Sequence, residues 1–228
     1  MAERRDGRLV LSVRRLLPWI LLLALCLSPR AERVFASDAP PRFPITSAQL
    51  AGYYVRDPVV TEFRLHPANA GSAAAFTEEE MRLPRQGHFF GLHAVDSETR
   101  YCEVGRFRAT DGSWRLVLYN NRGEADTVCL NIELLGYDEK GVAVDALLLE
   151  NRFGYEDIER FTQFEINEDT VSIDYYVVYS YYDGDFDDPI PNPRPELFCR
   201  EQYRFANGRF ELVRKREWEP VSWRKPGT

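Results

Sequence analysis

From Thr170 to Tyr182 apolar and polar residues alternate along the chain. Val171, Ile173, Tyr175, Val177, Tyr179 and Tyr181 hold the odd positions, and Thr170, Ser172, Asp174 and Ser180 hold even ones. A period of two is that of a half-buried antiparallel strand, whose successive side chains point to opposite faces. At about 3.3 Å per residue this stretch would reach about 43 Å, longer than strands normally run, so the pattern predicts a bend or a bulge within it.

Similar segments predict strands near 88–95, 100–109, 113–120, 127–135, 142–150, 159–166, 197–205 and 209–217. The turns between them are explicit: Thr110-Asp111-Gly112, Asp138 to Gly141, Asn167 to Asp169, and Ala206-Asn207-Gly208. Asp-Gly and Asn-Gly tolerate the positive φ of tight hairpins, so neighbours in sequence should be neighbours in the sheet. The expected fold is all-β: a single antiparallel meander over 46–219 that closes into a barrel or sandwich of about eight to ten strands. Two of the hairpins are alike. Tyr101-Cys102 precedes Gly112 and Trp114, and Phe198-Cys199 precedes Gly208 and Phe210, with an aromatic two residues after each turn glycine.

One or two short helices are expected near the N-terminus. Residues 46–50 can form one turn capped by Thr46 or Ser47, and Thr77 and Glu80 have the spacing of a capping box. A helical turn followed by Leu50-x-Gly52-x-aromatic resembles the opening of lipocalin-type barrels, a resemblance that implies an antiparallel barrel architecture.

The first residues carry a different signal. Arg4, Arg5, Arg8, Arg14 and Arg15 precede an apolar run from Leu16 to Leu27, and Val34-Phe35-Ala36 offers small residues at the −3 and −1 positions of a cleavage site. The run is too short to span a bilayer and has the length of a signal-peptide core. The reading is a signal peptide over 1–36, a proline-rich lead-in over 37–45 and a flexible tail over 220–228, in an exported protein, periplasmic or secreted. No stable membrane span is expected after cleavage.

Removing seven arginines and three carboxylates with residues 1–36 takes the formal charge from −7 to −11. Phosphate binding depends on clustered Lys and Arg, so nucleic acid and anionic membrane surfaces are excluded as partners and neutral or cationic ones are favoured. After cleavage Cys102, Cys129 and Cys199 remain, which in an oxidising compartment predicts one disulfide and one leftover thiol, with the pairing open.

Candidate chemistry is sparse. Asp183, Asp185 and Asp187 alternate as Ca²⁺-loop ligands do, but Asp188 stands where an EF-hand needs glycine and Arg194 where it needs glutamate. A solvated acidic loop is the competing reading. Asp174, Tyr176, Ser180 and Tyr182 fall on the second face of the long strand and form a candidate ligand or partner surface, since tyrosine offers contact area at low entropic cost. His88 and His93 differ by five and would lie on opposite strand faces, and His66 stands apart, so no zinc set has ligand spacing. GxSxG, HExxH, GxGxxG and phosphate-loop patterns are all missing, and no catalytic residue is assigned.

Three functions are compatible with this reading. The first is a non-enzymatic exported domain that binds a protein partner, as an interaction or inhibitor module of the bacterial envelope. The second is a lipocalin-like carrier of a small apolar ligand, and the third an enzyme of unrecognised type. A carrier needs an open apolar interior, whereas an interaction module fills its interior and presents residues outside.

Overall fold

The computed structural model describes residues 42–57, 62–71, 73–88, 99–109, 111–123, 126–155, 157–182 and 185–224. The chain begins with β1 (Ile45–Thr46), α1 (Ser47–Leu50), a 3₁₀ turn (Ala51–Tyr53), β2 (Tyr54–Arg56), β3 (Phe63–Leu65), α2 (Glu78–Arg82) and β4 (Arg85–Gln86). Longer strands follow: β5 (Tyr101–Ala109), β6 (Gly112–Arg122), β7 (Val128–Tyr137), β8 (Ala143–Tyr155), β9 (Ile158–Ile166) and β10 (Thr170–Tyr179). After β11 (Tyr181–Tyr182) and β12 (Asp185–Pro189) come β13 (Glu196–Ala206) and β14 (Arg209–Glu217). None of the described helices is long and apolar enough to cross a membrane.

Ten strands form one mostly antiparallel sheet in the order β14-β13-β10-β9-β8-β7-β6-β5, with β1 added to β9 and β4 to β8. The meander holds from β5 to β10. There the chain leaves the sheet to form the separate β11-β12 ribbon, and it returns as β13 against β10. The long alternating stretch therefore ends at Tyr179, and a register shift at Tyr175/Tyr176 supplies a bulge opposite β13. Of the strand expected near 88–95, only His88 is among the described residues.

β8 and β9 stay paired only where Phe153, Gly154 and Tyr155 face Arg160, Glu159 and Ile158. Beyond that point they part, and each takes up a short N-terminal strand: Ile45 pairs with Ile166, and Arg85 and Gln86 pair with Ala146 and Leu147. Residues from both arms of the fork share one core, in which Ile45, Leu116, Leu118, Leu130, Leu147 and Ile173 are sealed from solvent. The ladder does not run back from β14 to β8. Side chains make the junction instead: Phe210 N–H donates to Asp145 Oδ2 at 2.8 Å, and Gln86 Nε2 donates to the Phe210 carbonyl at 2.7 Å.

The turns of the two look-alike hairpins meet. Asn207 and Gly208 turn with φ of 53° and 75°, and a Cβ on Gly136 would fall 2.0 Å from the Gly208 carbonyl oxygen. Only glycine lets the β13-β14 turn lie this close to β7.

The outer face of β6, β7 and β8 is covered by residues 73–86 through buried charges. Thr77 and Glu80 form the capping box of α2, and Glu80 also accepts from Arg115, which binds Glu103 as well. Arg85 reaches Glu133, which accepts from Tyr119. Buried charges of this kind need partners, and for Glu133 burial outweighs the help of Arg85 and raises its carboxyl above the ordinary value.

The expected disulfide is not formed: Cys102, Cys129 and Cys199 are all buried and none is in a disulfide. They stand on β5, β7 and β13, with β6 separating the first two and β13 on the other arm of the fork. Cys102 and Cys199 border the apolar core.

Candidate functional site

The outward positions of β9, β10, β13 and β14 line up in rows. Gln163, Asp174, Arg200 and Arg216 make one, and Glu165, Ser172, Gln202 and Arg214 the next, as the pairing registers dictate. Along one side of this face run α1 and the 3₁₀ turn after it, whose small residues Ser47, Ala48 and Ala51 leave space above the sheet. The result is a trough of about 750 Å³ with Gln163, Asp174, Arg200 and Gln202 in its lining.

Arg152 sits at one end. Its guanidinium lies 4.5 Å from the Phe63 ring and 4.9 Å from that of Phe161, and Nη1 donates to Tyr54 Oη at 3.0 Å. Its buried Nε has no hydrogen-bond partner among the described residues. In the middle, Asp174 neutralises Arg200 through two hydrogen bonds, one of 2.6 Å. At the far end Arg214, Arg216 and Trp218 continue the lining in a smaller hollow that shares Arg200 and Gln202, with Arg216 stacked 4.8 Å from Trp218. Among the described residues neither Arg214 nor Arg216 forms an ion pair.

Of the four residues expected on this surface, Asp174 lies in the trough, and Tyr176 stands beside it, stacked on Phe161 with centroids 5.3 Å apart. Ser180 and Tyr182 are not on the face, because the strand breaks after Tyr179. The Ser180 backbone binds Asp157 and Ile190, and Tyr182 pairs with Asp185 in the ribbon. Asp185 and Asp187 belong to β12, with Asp187 exposed, whereas Asp183 and the side chain of Asp185 lie outside the described residues. His93 lies outside them too, and His66 is exposed and accepts from the Ala68 amide. The tail is held by Trp223 Nε1 on the Pro220 carbonyl, and Glu196 accepts from the amides of Val221 and Ser222.

A second polar cluster lies on the inner face at the rim of β13 and β14. Glu201 is buried, and its Oε2 accepts from Tyr203 at 2.7 Å and from Tyr175 at 3.0 Å. Its Oε1 is 3.3 Å from His88 Nε2, and the same nitrogen is 3.4 Å from Cys199 Sγ. Burial works to raise the Glu201 pKa, but the hydrogen bonds from His88, Tyr203 and Tyr175 prevail and hold it at about 2. Burial, helped by the Glu201 charge, pushes the Cys199 thiol up to about 11. A catalytic thiol needs the opposite shift, with the acid on the second imidazole nitrogen.

Sequence spacing did not foretell this cluster, because His88 is distant in the chain from Cys199, Glu201 and Glu217. The one available signal was the placement of Cys199 and Glu201 at inward positions of β13. Compared with protein-family models, with curated proteins and with solved structures, the chain matches none of them.

Proposed function

We propose that this chain is an exported, non-enzymatic binding domain, built as a barrel left open between β14 and β8, that holds an extended acidic segment of a protein partner in the outer trough. One observation carries the reading: Arg152 and Arg200 line the trough, and its continuation holds Arg214 and Arg216, which form no ion pair among the described residues, so this face seeks negative charge. Net charge averages over all faces, and this face is locally basic although the whole chain is acidic. Guanidinium groups favour planar carboxylates, which they bind with paired hydrogen bonds. Aromatic neighbours add contact area at low entropic cost. Against a carrier of apolar molecules stands the filled interior, where Leu116, Leu118 and Leu130 are sealed among neighbours. Export rests on the basic and apolar leader of residues 1–36.

The test is site-specific photocrosslinking in the producing cell, with the crosslinker at Gln202 in the trough and, as control, at exposed Glu139. A discrete polypeptide adduct at Gln202 alone, lost when Arg214 and Arg216 are changed to Glu, is the expected result. Equal labelling at both positions, or an adduct indifferent to the charge reversal, refutes the proposal.

A further inference from the structure

The inner rim of β13 and β14 brings four donors of different chemistry together, at a distance from the trough and independent of its reading. Cross-strand pairing sets Cys199 against Glu217 and Glu201 against Lys215 on the inward face. His88, just past β4, lies over them. One of its ring nitrogens, Cys199 Sγ and a Glu217 carboxylate oxygen all lie within 4.8 Å of one another. Two potential acceptors, Sγ at 3.4 Å and Glu201 Oε1 at 3.3 Å, converge on the single Nε2 of His88. One ring nitrogen has one in-plane direction for a hydrogen bond, so it cannot serve both acceptors well.

We propose that this rim is a zinc site, with His88, Cys199 and Glu217 as ligands and Glu201 as the fourth donor. Zn²⁺ bonds of about 2.0–2.1 Å to imidazole, about 2.3 Å to thiolate and about 2.0–2.2 Å to carboxylate, set at tetrahedral angles, put nitrogen about 3.5 Å from sulfur and about 3.3 Å from oxygen. The two closest donor separations already have those lengths. Imidazole, thiolate and carboxylate together suit zinc, whereas Ca²⁺ and Mg²⁺ prefer oxygen alone. The orienting groups are present as well: Tyr175 and Tyr203 occupy Oε2 of Glu201 and leave Oε1 facing His88. Cys199 is 1% exposed, but the side chains of His88 and Glu217 are 37% and 63% exposed, which gives the ion a way in.

Lys215 is the competitor for this position. Its ammonium lies 2.8 Å from Glu217 Oε1 and 3.6 Å from Glu201 Oε1, where it balances the charge that the metal would balance. On binding, the ion takes the two carboxylates from Lys215, and the Cys199 thiol proton leaves to solvent as the sulfur becomes a thiolate ligand.

The experiment uses the purified full chain, stripped by chelator and then titrated with Zn²⁺ against a chromophoric competitor, with Co²⁺ as a spectroscopic probe. One equivalent of Zn²⁺ and a thiolate-to-Co²⁺ charge-transfer band are expected. His88→Gln and Cys199→Ser should each weaken Zn²⁺ binding at least about tenfold, the least that even loss of a group orienting a ligand costs. Lys215→Met, which leaves every donor in place, should strengthen it. Circular dichroism of His88→Gln and Lys215→Met establishes that these two variants are folded. Failure to retain Zn²⁺, a Co²⁺ spectrum without the thiolate band, or affinity unchanged in folded His88→Gln would overturn the assignment.

Discussion

Trp114 and Phe210, each two residues beyond the glycine of its own hairpin turn, meet with ring centroids 6.3 Å apart. Phe205 fills the angle between them, 4.3 Å from Trp114 and 5.3 Å from Phe210. The two hairpins at opposite ends of the sheet order thus share one aromatic cluster, and Trp114 is its largest member.

Trp114→Ala should destabilise the domain by about 3–5 kcal/mol, the usual cost of truncating a large buried aromatic. A double-mutant cycle with Phe205→Leu should show coupling of about 1 kcal/mol. Urea unfolding followed by circular dichroism measures both. Additive effects would mean that the rings merely share a core without reinforcing each other.

Gly136→Ala tests the close approach of the second turn to β7. The added methyl meets the Gly208 carbonyl, which is backbone and cannot rotate away. A loss of about 3 kcal/mol or more is expected, above the common range for overpacking because no side chain can yield. Gly141→Ala is the control for turn strain alone: its φ is 78°, but nothing stands within 4 Å of the new methyl.

Glu150 gives the domain a pH dependence of unusual sign. Burial raises its carboxyl to about 8, with Arg152 offsetting part of the shift, while the ordinary value is 4.5. Between these values the native state keeps a proton that the unfolded chain has released. The contribution is fully present below pH 4.5 and is lost as pH rises through 8, at about 1.4 kcal/mol per pH unit. Glu150→Gln preserves an acceptor for the Thr162 amide, which donates to Oε1 at 2.9 Å. Urea midpoints from pH 5 to 8 should therefore show the variant gaining on the wild type. Parallel curves would refute a protonated Glu150.

Alkylation reports on the thiols. With no reductant added, Cys102, Cys129 and Cys199 should all be modified once the chain is unfolded and should react slowly while it is folded, since all three are buried. Burial also pushes Cys129 to about 11, like Cys199, which lowers the thiolate fraction near neutrality. A mass two hydrogens lighter before treatment would restore the disulfide.

Much of the sheet was legible because alternation and turn chemistry are local. Asn207-Gly208 announced its hairpin, Thr77 and Glu80 their cap, and β14 ends where its pattern does. The face carrying Asp174 and Tyr176 was legible for the same reason, but Ser180 and Tyr182 were not, because a strand break resets the alternation beyond it. Net charge hid the local grouping of arginines: Arg214 and Arg216 share a face of β14 by alternation, but only the register of β13 with β14 sets them beside Gln202 and Arg200. The rim cluster is the extreme case. His88 meets Cys199 by a long-range approach, and no spacing rule within one segment encodes such a meeting.

The fork between β8 and β9 also bears on the order in which the chain can settle. Ile45 has no strand partner until Ile166 has been made, and Arg85 must wait for Ala146. The first strands to leave the ribosome are therefore among the last to find their places, and contacts of such long sequence separation slow folding.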